Sequence, residues 1–142
     1  MKYVFNTESG IRYRFPNHST DLIVDRSEAA CSEVFIVMMA EGSANHFHRH
    51  PETEQVFHIL EGAGILTIGE ERSEIPIKER DVVRIPPGTL HSVRATDARG
   101  IRYLCVDCFI GGVPAERPTW DAHIKAVCAA EGWDFARTRL NP

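Results

Sequence analysis

The sequence predicts an all-β protein, a single barrel or sandwich domain that ends in a short α-helix. Three observations support this prediction. Short apolar runs recur along the chain, turns rich in Gly, Pro and Asn separate them, and only the last segment has apolar residues at helical spacing. A chain of 142 residues has the length of one domain, so residues 1–142 are predicted to form a single unit.

The turn sequences PNHS, EGSAN, HPET, LEGAG, GEER, PPGT and TDARG divide the chain into candidate strands. The predicted strands are residues 11–15, 21–25, 32–40, 55–60, 64–68, 74–77, 81–85, 91–95 and 101–110. The two longest strands are apolar on both faces, which predicts a second layer over the barrel. That layer is either the C-terminal helix or a second subunit, and we expect a homodimer.

The C-terminal segment has the signals of a helix over residues 119–131. Thr119 is a suitable N-cap, and Gly132 follows the last helical residue. Apolar residues recur at three- and four-residue steps, so one face of the helix is apolar. We expect this face to pack on the outside of the barrel rather than to take part in catalysis.

Composition narrows the classes of partner. Apolar residues make up 43% of the chain and charged residues 25%, as in an ordinary soluble domain. The formal net charge of −4 argues against nucleic acid as a partner. No apolar run has the length of a membrane span, and the first residues lack the apolar core of a signal peptide. We therefore expect a cytoplasmic protein with no membrane partner.

Cys105 and Cys108 form a CxxC sequence, which is typical of redox and zinc sites. The pair lies in a predicted strand, where an offset of three residues puts the two side chains on opposite faces. The chain has no second closely spaced cysteine pair that would complete a zinc site. Two packed thiols are therefore the favoured interpretation.

Histidines cluster in the sequence GSANHFHRHPETEQ. His46, His48 and His50 alternate, so in an extended segment their side chains can converge on one side. His91 follows the turn PPGT at the start of another predicted strand. Neutral imidazoles from rigid elements, together with an oxygen ligand, are what a divalent transition metal requires. The two segments together predict a metal site.

This pattern resembles the cupin superfamily, whose first motif is G-x5-H-x-H-x3/4-E-x6-G. Gly42, His48, His50, position 55 and Gly62 fit that spacing. The second motif, G-x5-P-x-G-x2-H-x3-N, is matched at three positions: Pro86, Gly88 and His91. The resemblance covers a motif core at residues 42–95. It implies a jelly-roll β-barrel and a metal ion held by His48, His50, His91 and the residue at position 55.

The chain departs from the cupin motifs at three positions. Gln55 stands where the family usually has glutamate, Arg80 where it has glycine, and Ala95 where it has asparagine. The last two positions concern turn geometry and packing in the barrel, whereas Gln55 concerns the metal itself.

Glu54 also has an allowed spacing from His50, so either residue 54 or 55 could complete the site. Neighbouring strand residues face opposite sides, which makes the two choices exclusive. Gln55 shares a face with the apolar residues Phe57 and Ile59, so Gln55 is favoured. Four neutral ligands would leave the metal more positive and favour an anionic ligand.

Other residues are assigned to the cavity around the metal. His46 is a candidate general acid or base, and a surface position at the mouth of the barrel is the alternative. Phe57, Ile59 and Val93 are predicted to form an apolar wall. The metal could be iron, manganese, nickel, cobalt or zinc, because His and Gln ligation suits all of them.

Three functions remain open at this point. The favoured one is a metal-dependent lyase, isomerase or dioxygenase that acts on a small anionic molecule by binding its oxygen atoms. The second is a ligand-binding or sensor module without turnover. The third, a structural protein with a vestigial site, is least favoured because all three histidines are present.

Overall fold

The computed structural model describes residues 1–140, which form eight strands and two α-helices. The elements are β1 (Ile11–Arg14), β2 (Ser19–Val24), β3 (Ser32–Met39), β4 (Thr53–Ile68), β5 (Ser73–Lys78), β6 (Val82–Ile85), β7 (His91–Ala95), β8 (Ile101–Phe109), α1 (Trp120–Glu131) and α2 (Phe135–Thr138). None of the helices within these residues has the length and apolar character needed to cross a bilayer. The predicted all-β class with a C-terminal helix is confirmed.

The strands form two antiparallel sheets that share β4. Its first half pairs with β8 on one side and β6 on the other, and the β1, β2 and β3 strands continue that sheet beyond β8. Its second half pairs with β5 and β7 in the other sheet. This is the jelly-roll arrangement, and it places the start of β4 and the start of β7 near one end of the barrel.

The sequence LEGAG does not form the predicted turn between two strands, because β4 runs through it. The strand bends there at an irregularity in its pairing with β8, between Ile59 and Glu61. Gly62 follows with a φ of +80°, and a side-chain Cβ at this position would lie 1.9 Å from the carbonyl oxygen of Gly100. The glycine therefore marks a close approach of two backbones. A glycine-rich sequence such as LEGAG gives the same signal for a bend within a strand as for a turn between two strands.

Alternation along β8 determines which of its residues enter the barrel. Tyr103, Cys105 and Asp107 are buried, whereas the residues between them are only half-buried. Cys108 consequently faces away from Cys105, as predicted for a CxxC in a strand, and both are free thiols. Asp107 is therefore an acidic residue inside the barrel, although the sequence around it is apolar.

The helix α1 begins and ends as its capping residues predict. The Thr119 hydroxyl accepts a hydrogen bond from the Ala122 amide at 3.1 Å, and Gly132 ends the helix in the left-handed conformation at φ +74°. Trp120 anchors the helix, with its ring centroid 4.6 Å from that of Phe35 and 6.2 Å from that of Tyr13.

Arg80 adopts a left-handed backbone conformation, with φ +77°, at the position where the cupin motif has glycine. The Arg80 side chain is exposed, so nothing in the core compensates for the strain. We predict that Arg80→Gly raises the free energy of unfolding by about 1 kcal/mol, since a left-handed L-residue costs roughly 1–2 kcal/mol and glycine loses part of that gain through chain entropy. The measurement is urea unfolding of both proteins.

The control for this prediction is Lys78→Gly, two residues earlier at an exposed position with negative φ. That variant should be less stable than the parent, because glycine there relieves no strain. Equal or lower stability of Arg80→Gly would show that the turn is unstrained.

His123 on α1 makes folding sensitive to acid. Burial, together with the charges of Arg26 and Arg117, lowers the pKa of His123 to about 3, and its Nδ1 accepts a hydrogen bond from Arg117 at 3.2 Å. Because the folded protein holds the ring neutral, its contribution to stability is present above the unfolded pKa near 6.5 and is lost as pH falls towards 3.

We predict that His123→Gln, which keeps an acceptor for Arg117, flattens the fall in unfolding free energy between pH 6.5 and 4. The slope should decrease by up to about 1.4 kcal/mol per pH unit. Lys125→Gln, at an exposed position of the same helix, is the control. Parallel curves for the parent and His123→Gln would contradict the prediction.

Candidate metal centre

Two backbone segments bring the histidines together at one end of the barrel. His48 and His91 form an isolated β-bridge, in which the amide of each donates to the carbonyl of the other at 3.0 and 2.9 Å. The segment from His46 to His50 is not a regular strand, as alternation had indicated, but a loop whose one bridge is at His48; a second bridge, at Ala44, precedes it. The bridge to β7 gives the loop the same local geometry that a strand would have given.

The ligand atoms of His48, His50 and His91 all lie within 4.8 Å of one another. The Nε2 atoms of His48 and His50 are 3.0 Å apart. The Nε2 atom of His91 is 2.9 Å from Oε1 of Gln55, which is buried. The structure thus brings together the four residues that the sequence predicts as metal ligands.

Backbone carbonyls fix which nitrogen of two rings carries the proton. His48 Nδ1 donates to the His46 carbonyl at 2.5 Å, and His91 Nδ1 donates to the Thr89 carbonyl at 2.8 Å. A carbonyl can only accept, so in the neutral rings the proton lies on Nδ1 and the lone pair on Nε2. Both Nε2 lone pairs face the centre of the cluster.

Asp107 fixes the direction of the Gln55 amide. The Gln55 Nε2 group donates to Oδ1 of Asp107 at 2.8 Å, which leaves the amide oxygen facing His91. An amide oxygen and an unprotonated nitrogen at 2.9 Å repel each other unless a cation lies nearby.

Burial keeps the three histidines neutral, which is the form that binds a metal. The pKa of His50 and that of His91 are lowered to about 4, and the pKa of His48 is also lowered. In each case the largest cause is the loss of water around the ring. Asp107 opposes this effect on all three rings through its charge.

Glu54 lies outside the cluster. It faces the other side of β4, where its carboxylate accepts from Arg84 Nε at 2.8 Å. Gln55 faces inward with Phe57 and Ile59, as strand alternation predicts.

Behind Gln55 lies a buried charged group that the sequence analysis missed. Asp107 is paired in register with both Gln55 on β4 and Glu33 on β3. Arg26 holds Glu33 with two hydrogen bonds of 2.8 and 2.9 Å, and none of these three charged residues is more than 8% exposed. Burial, followed by the neighbouring Asp107, raises the pKa of Glu33 to about 9. The signal in the sequence was a single acidic residue inside each of the two longest apolar strands.

A cavity of about 270 Å³ opens beside the four residues. Phe57 lines the cavity, as predicted, whereas Ile59 and Val93 do not: both are packed into the core with 1% and 0% exposure. The helix α1 was expected on the outside of the barrel, but Trp120, His123 and Ile124 form part of the cavity wall. The apolar face of the helix covers the cavity because Trp120 packs on the inward-facing Phe35.

His46 lies at the rim of this cavity. Its side chain is 63% exposed, and its Nε2 is 3.3 Å from the Glu131 carboxylate at the end of α1. His46 also supplies the carbonyl that orients His48. Its role as an acid or base stays a prediction.

The cupin domain family matches residues 35–107, which are half of the chain and include the loop, β4 and β7. The protein therefore belongs to the cupin family, as the two motifs predict.

Two curated relatives are each 34% identical to the chain in the matched region. An uncharacterized protein of Methanocaldococcus jannaschii matches over 64 residues, 45% of this chain and 50% of that protein. An acireductone dioxygenase of Rhodopseudomonas palustris matches over 98 residues, 66% of this chain and 54% of that protein. The chain accordingly spans only about half of each relative.

Among solved structures, a predicted oxalate decarboxylase from Thermotoga maritima has the same fold. It superposes with a TM-score of 0.67 over 75% of this chain and 99% of that chain. The sequences are 20% identical, so the likeness concerns the fold alone.

We predict that Asp107 makes glutamine, rather than the usual glutamate, the stable residue at position 55. Gln55→Glu removes the donor to Asp107 and sets two buried carboxyl groups against each other, so the metal-free protein should lose about 1–3 kcal/mol of unfolding free energy. Adding Asp107→Asn supplies a new donor and should restore about 1 kcal/mol or more. The measurement is denaturant unfolding in the presence of a chelator, arranged as a double-mutant cycle.

The matched control is Glu54→Gln, which changes the charge of the adjacent, half-buried side chain on the other face of β4 and should alter stability by less than about 1 kcal/mol, since its ion-pair partner Arg84 is exposed. Strict additivity of Gln55→Glu and Asp107→Asn would show that the two side chains are not coupled.

Proposed function

We propose that this protein is a metal-dependent enzyme that acts on a small anionic organic molecule by binding its oxygen atoms. The observation that carries the proposal is the convergence of three imidazole nitrogens and the Gln55 oxygen beside an open cavity. A site that served only to stabilise the fold would be closed by protein ligands, whereas a cavity next to the ligands gives a substrate access.

His48, His50, Gln55 and His91 would hold one divalent iron, manganese, nickel, cobalt or zinc ion. Such an ion acts as a Lewis acid that polarises a substrate oxygen. The four ligands are neutral, so an anionic oxygen is the complementary group. The Asp107 carboxyl, one hydrogen bond behind Gln55, holds the amide in the orientation that presents its oxygen.

Two other groups of residues in the cavity have separate proposed roles, proton exchange and the exclusion of water. His46 and Glu131 lie together at the rim, where they can take up or release a proton and exchange it with solvent. The aromatic residues deeper in the cavity keep water away from the reacting atoms, which strengthens electrostatic interactions there. Phe57, whose ring centroid is 6.4 Å from that of His91, is the nearest such residue in the predicted wall.

The name of one relative supports the class of reaction. That relative is an acireductone dioxygenase, and dioxygenase chemistry is one of the three reaction types considered for this site. We propose lyase, isomerase or dioxygenase chemistry for this chain. A homodimer and a cytoplasmic location stay predictions, and analytical ultracentrifugation measures the first of them.

The experiment combines metal analysis with turnover. The purified protein should contain about one divalent metal ion per chain, and His91→Ala should lower metal affinity by about 100-fold or more because a buried ligand is lost. The control is His58→Ala, since His58 is exposed and is not part of the cavity wall. Metal content by mass spectrometry and affinity by competition with a chelator are the measurements.

Turnover of a panel of small 2-hydroxy, 2-oxo and enolic acids, under air and under argon, assigns the reaction class. Activity only under air indicates a dioxygenase, and equal activity under argon indicates a lyase or isomerase. Tight binding without turnover of any member would instead favour the sensor module. A metal content that His91→Ala leaves unchanged would refute the site itself.

A further inference from the structure

We infer that the substrate of this site carries a single anionic head group on an aromatic or other ring-shaped apolar body. This inference rests on the proposed function and narrows it. It excludes compact dianions such as oxalate as the preferred ligand. The support comes from the wall of the cavity, its charge and its volume.

Six aromatic side chains line the cavity and form its aromatic wall. They are Phe15, Phe35, Phe57, Tyr103, Trp120 and Trp133. Five of these are no more than 7% exposed, so their rings are held by the core and present a fixed surface. Trp133 packs on Phe15, with their centroids 5.6 Å apart, and is only partly buried at the edge of this wall. Flat apolar surfaces of this kind bind rings by stacking and by burial of apolar area.

The charge of the cavity fits one anionic group and no more. Among the described residues that line it there is no lysine or arginine, while two carboxyl groups, Asp107 and Glu131, do line it. A metal at the four ligands would be the positive centre next to the aromatic residues, and His46, at the rim, already lies 3.3 Å from the Glu131 carboxylate. A second carboxylate, reaching past that centre, would lose its water next to apolar rings without gaining a cation.

The volume of the cavity exceeds what a small acid needs. It measures about 270 Å³, whereas an apolar cavity of about 150 Å³ already holds a benzene molecule. The cavity therefore has room for one or two fused rings beside a head group at the histidines. Oxalate or lactate would leave most of the aromatic wall in contact with water.

The test compares probes with the same head group and different bodies. Lactate and mandelate are both 2-hydroxy acids, but mandelate carries a phenyl ring in place of the methyl group; oxalate is the compact dianion. We expect mandelate to bind at least tenfold more tightly than lactate and more tightly than oxalate, since the ring buries apolar area against the wall. Calorimetry gives the affinities. The quenching of fluorescence is a second readout, because both tryptophans of the chain line the cavity.

Two variants test whether the cavity causes the preference for mandelate over lactate. Val127→Trp fills it from α1 and should abolish the advantage of mandelate while leaving metal affinity unchanged. Val82→Trp adds the same side chain at a position that is 66% exposed on β6, outside the cavity, and should leave the advantage intact. If Val127→Trp does not fold, Trp133→Leu at the edge of the wall should reduce the advantage several-fold.

The ratio of mandelate to lactate affinity is measured with and without metal. The ratio tests the aromatic wall, which the protein supplies by itself, and the loss of affinity on metal removal tests the proposed function. Equal affinities for the two acids, or tighter binding of oxalate, would overturn this inference even if the metal binds. A high ratio that no metal influences would refute the metal site and the anionic head group bound there, and would leave only the preference for a ring-shaped body.

Discussion

The register between β4 and β8 is the constraint on which the site depends. It sets Gln55 opposite Asp107, so that one hydrogen bond of 2.8 Å joins the two strands inside the barrel. That bond turns the amide oxygen towards His91, and the amide nitrogen also donates to Cys105 Sγ at 3.8 Å. A shift of one residue would turn Gln55 outward and bring Glu54 in, because side chains alternate across a strand. Strand pairing therefore determines that Gln55, and not Glu54, faces the histidines.

Asp107 is itself buried, next to a second acidic residue and an arginine. It adjoins the buried Glu33, and Arg26 supplies a single positive charge to this pair of carboxyl groups. Burial and the neighbouring Asp107 raise the pKa of Glu33, and the two hydrogen bonds from Arg26 oppose that effect. Buried groups of this kind seldom add net stability compared with apolar residues of the same size. They lie directly behind Gln55, whose amide Asp107 orients, and that position gives them a role other than stability.

The helix α1 packs on the barrel and forms part of the cavity wall. Its capping by Thr119 and Gly132 is local, but its position depends on Trp120, which packs on Phe35 in the barrel. The same contact makes the apolar face of the helix a wall of the cavity. His46 and Glu131 then meet at the rim, so the loop that carries the histidines and the end of the helix are in contact there. The shape of the ligand site thus depends on an element outside the two metal-binding motifs.

The sequence by itself determined the features that depend on local spacing. Strand alternation selected Gln55 over Glu54, the two motifs located His48, His50 and His91, and the caps of α1 marked its ends. Three features depended on tertiary structure. Gly62 lies within β4 against the backbone of Gly100, where a side chain would not fit, and in sequence the same glycine is a signal for a turn. Asp107 acts on Gln55 across a strand pair about 50 residues apart in sequence, a separation that no local pattern reveals. Ile59 and Val93 share the inward alternation of Phe57 but lie deeper in the core, since periodicity gives the face of a strand and not the depth along the barrel.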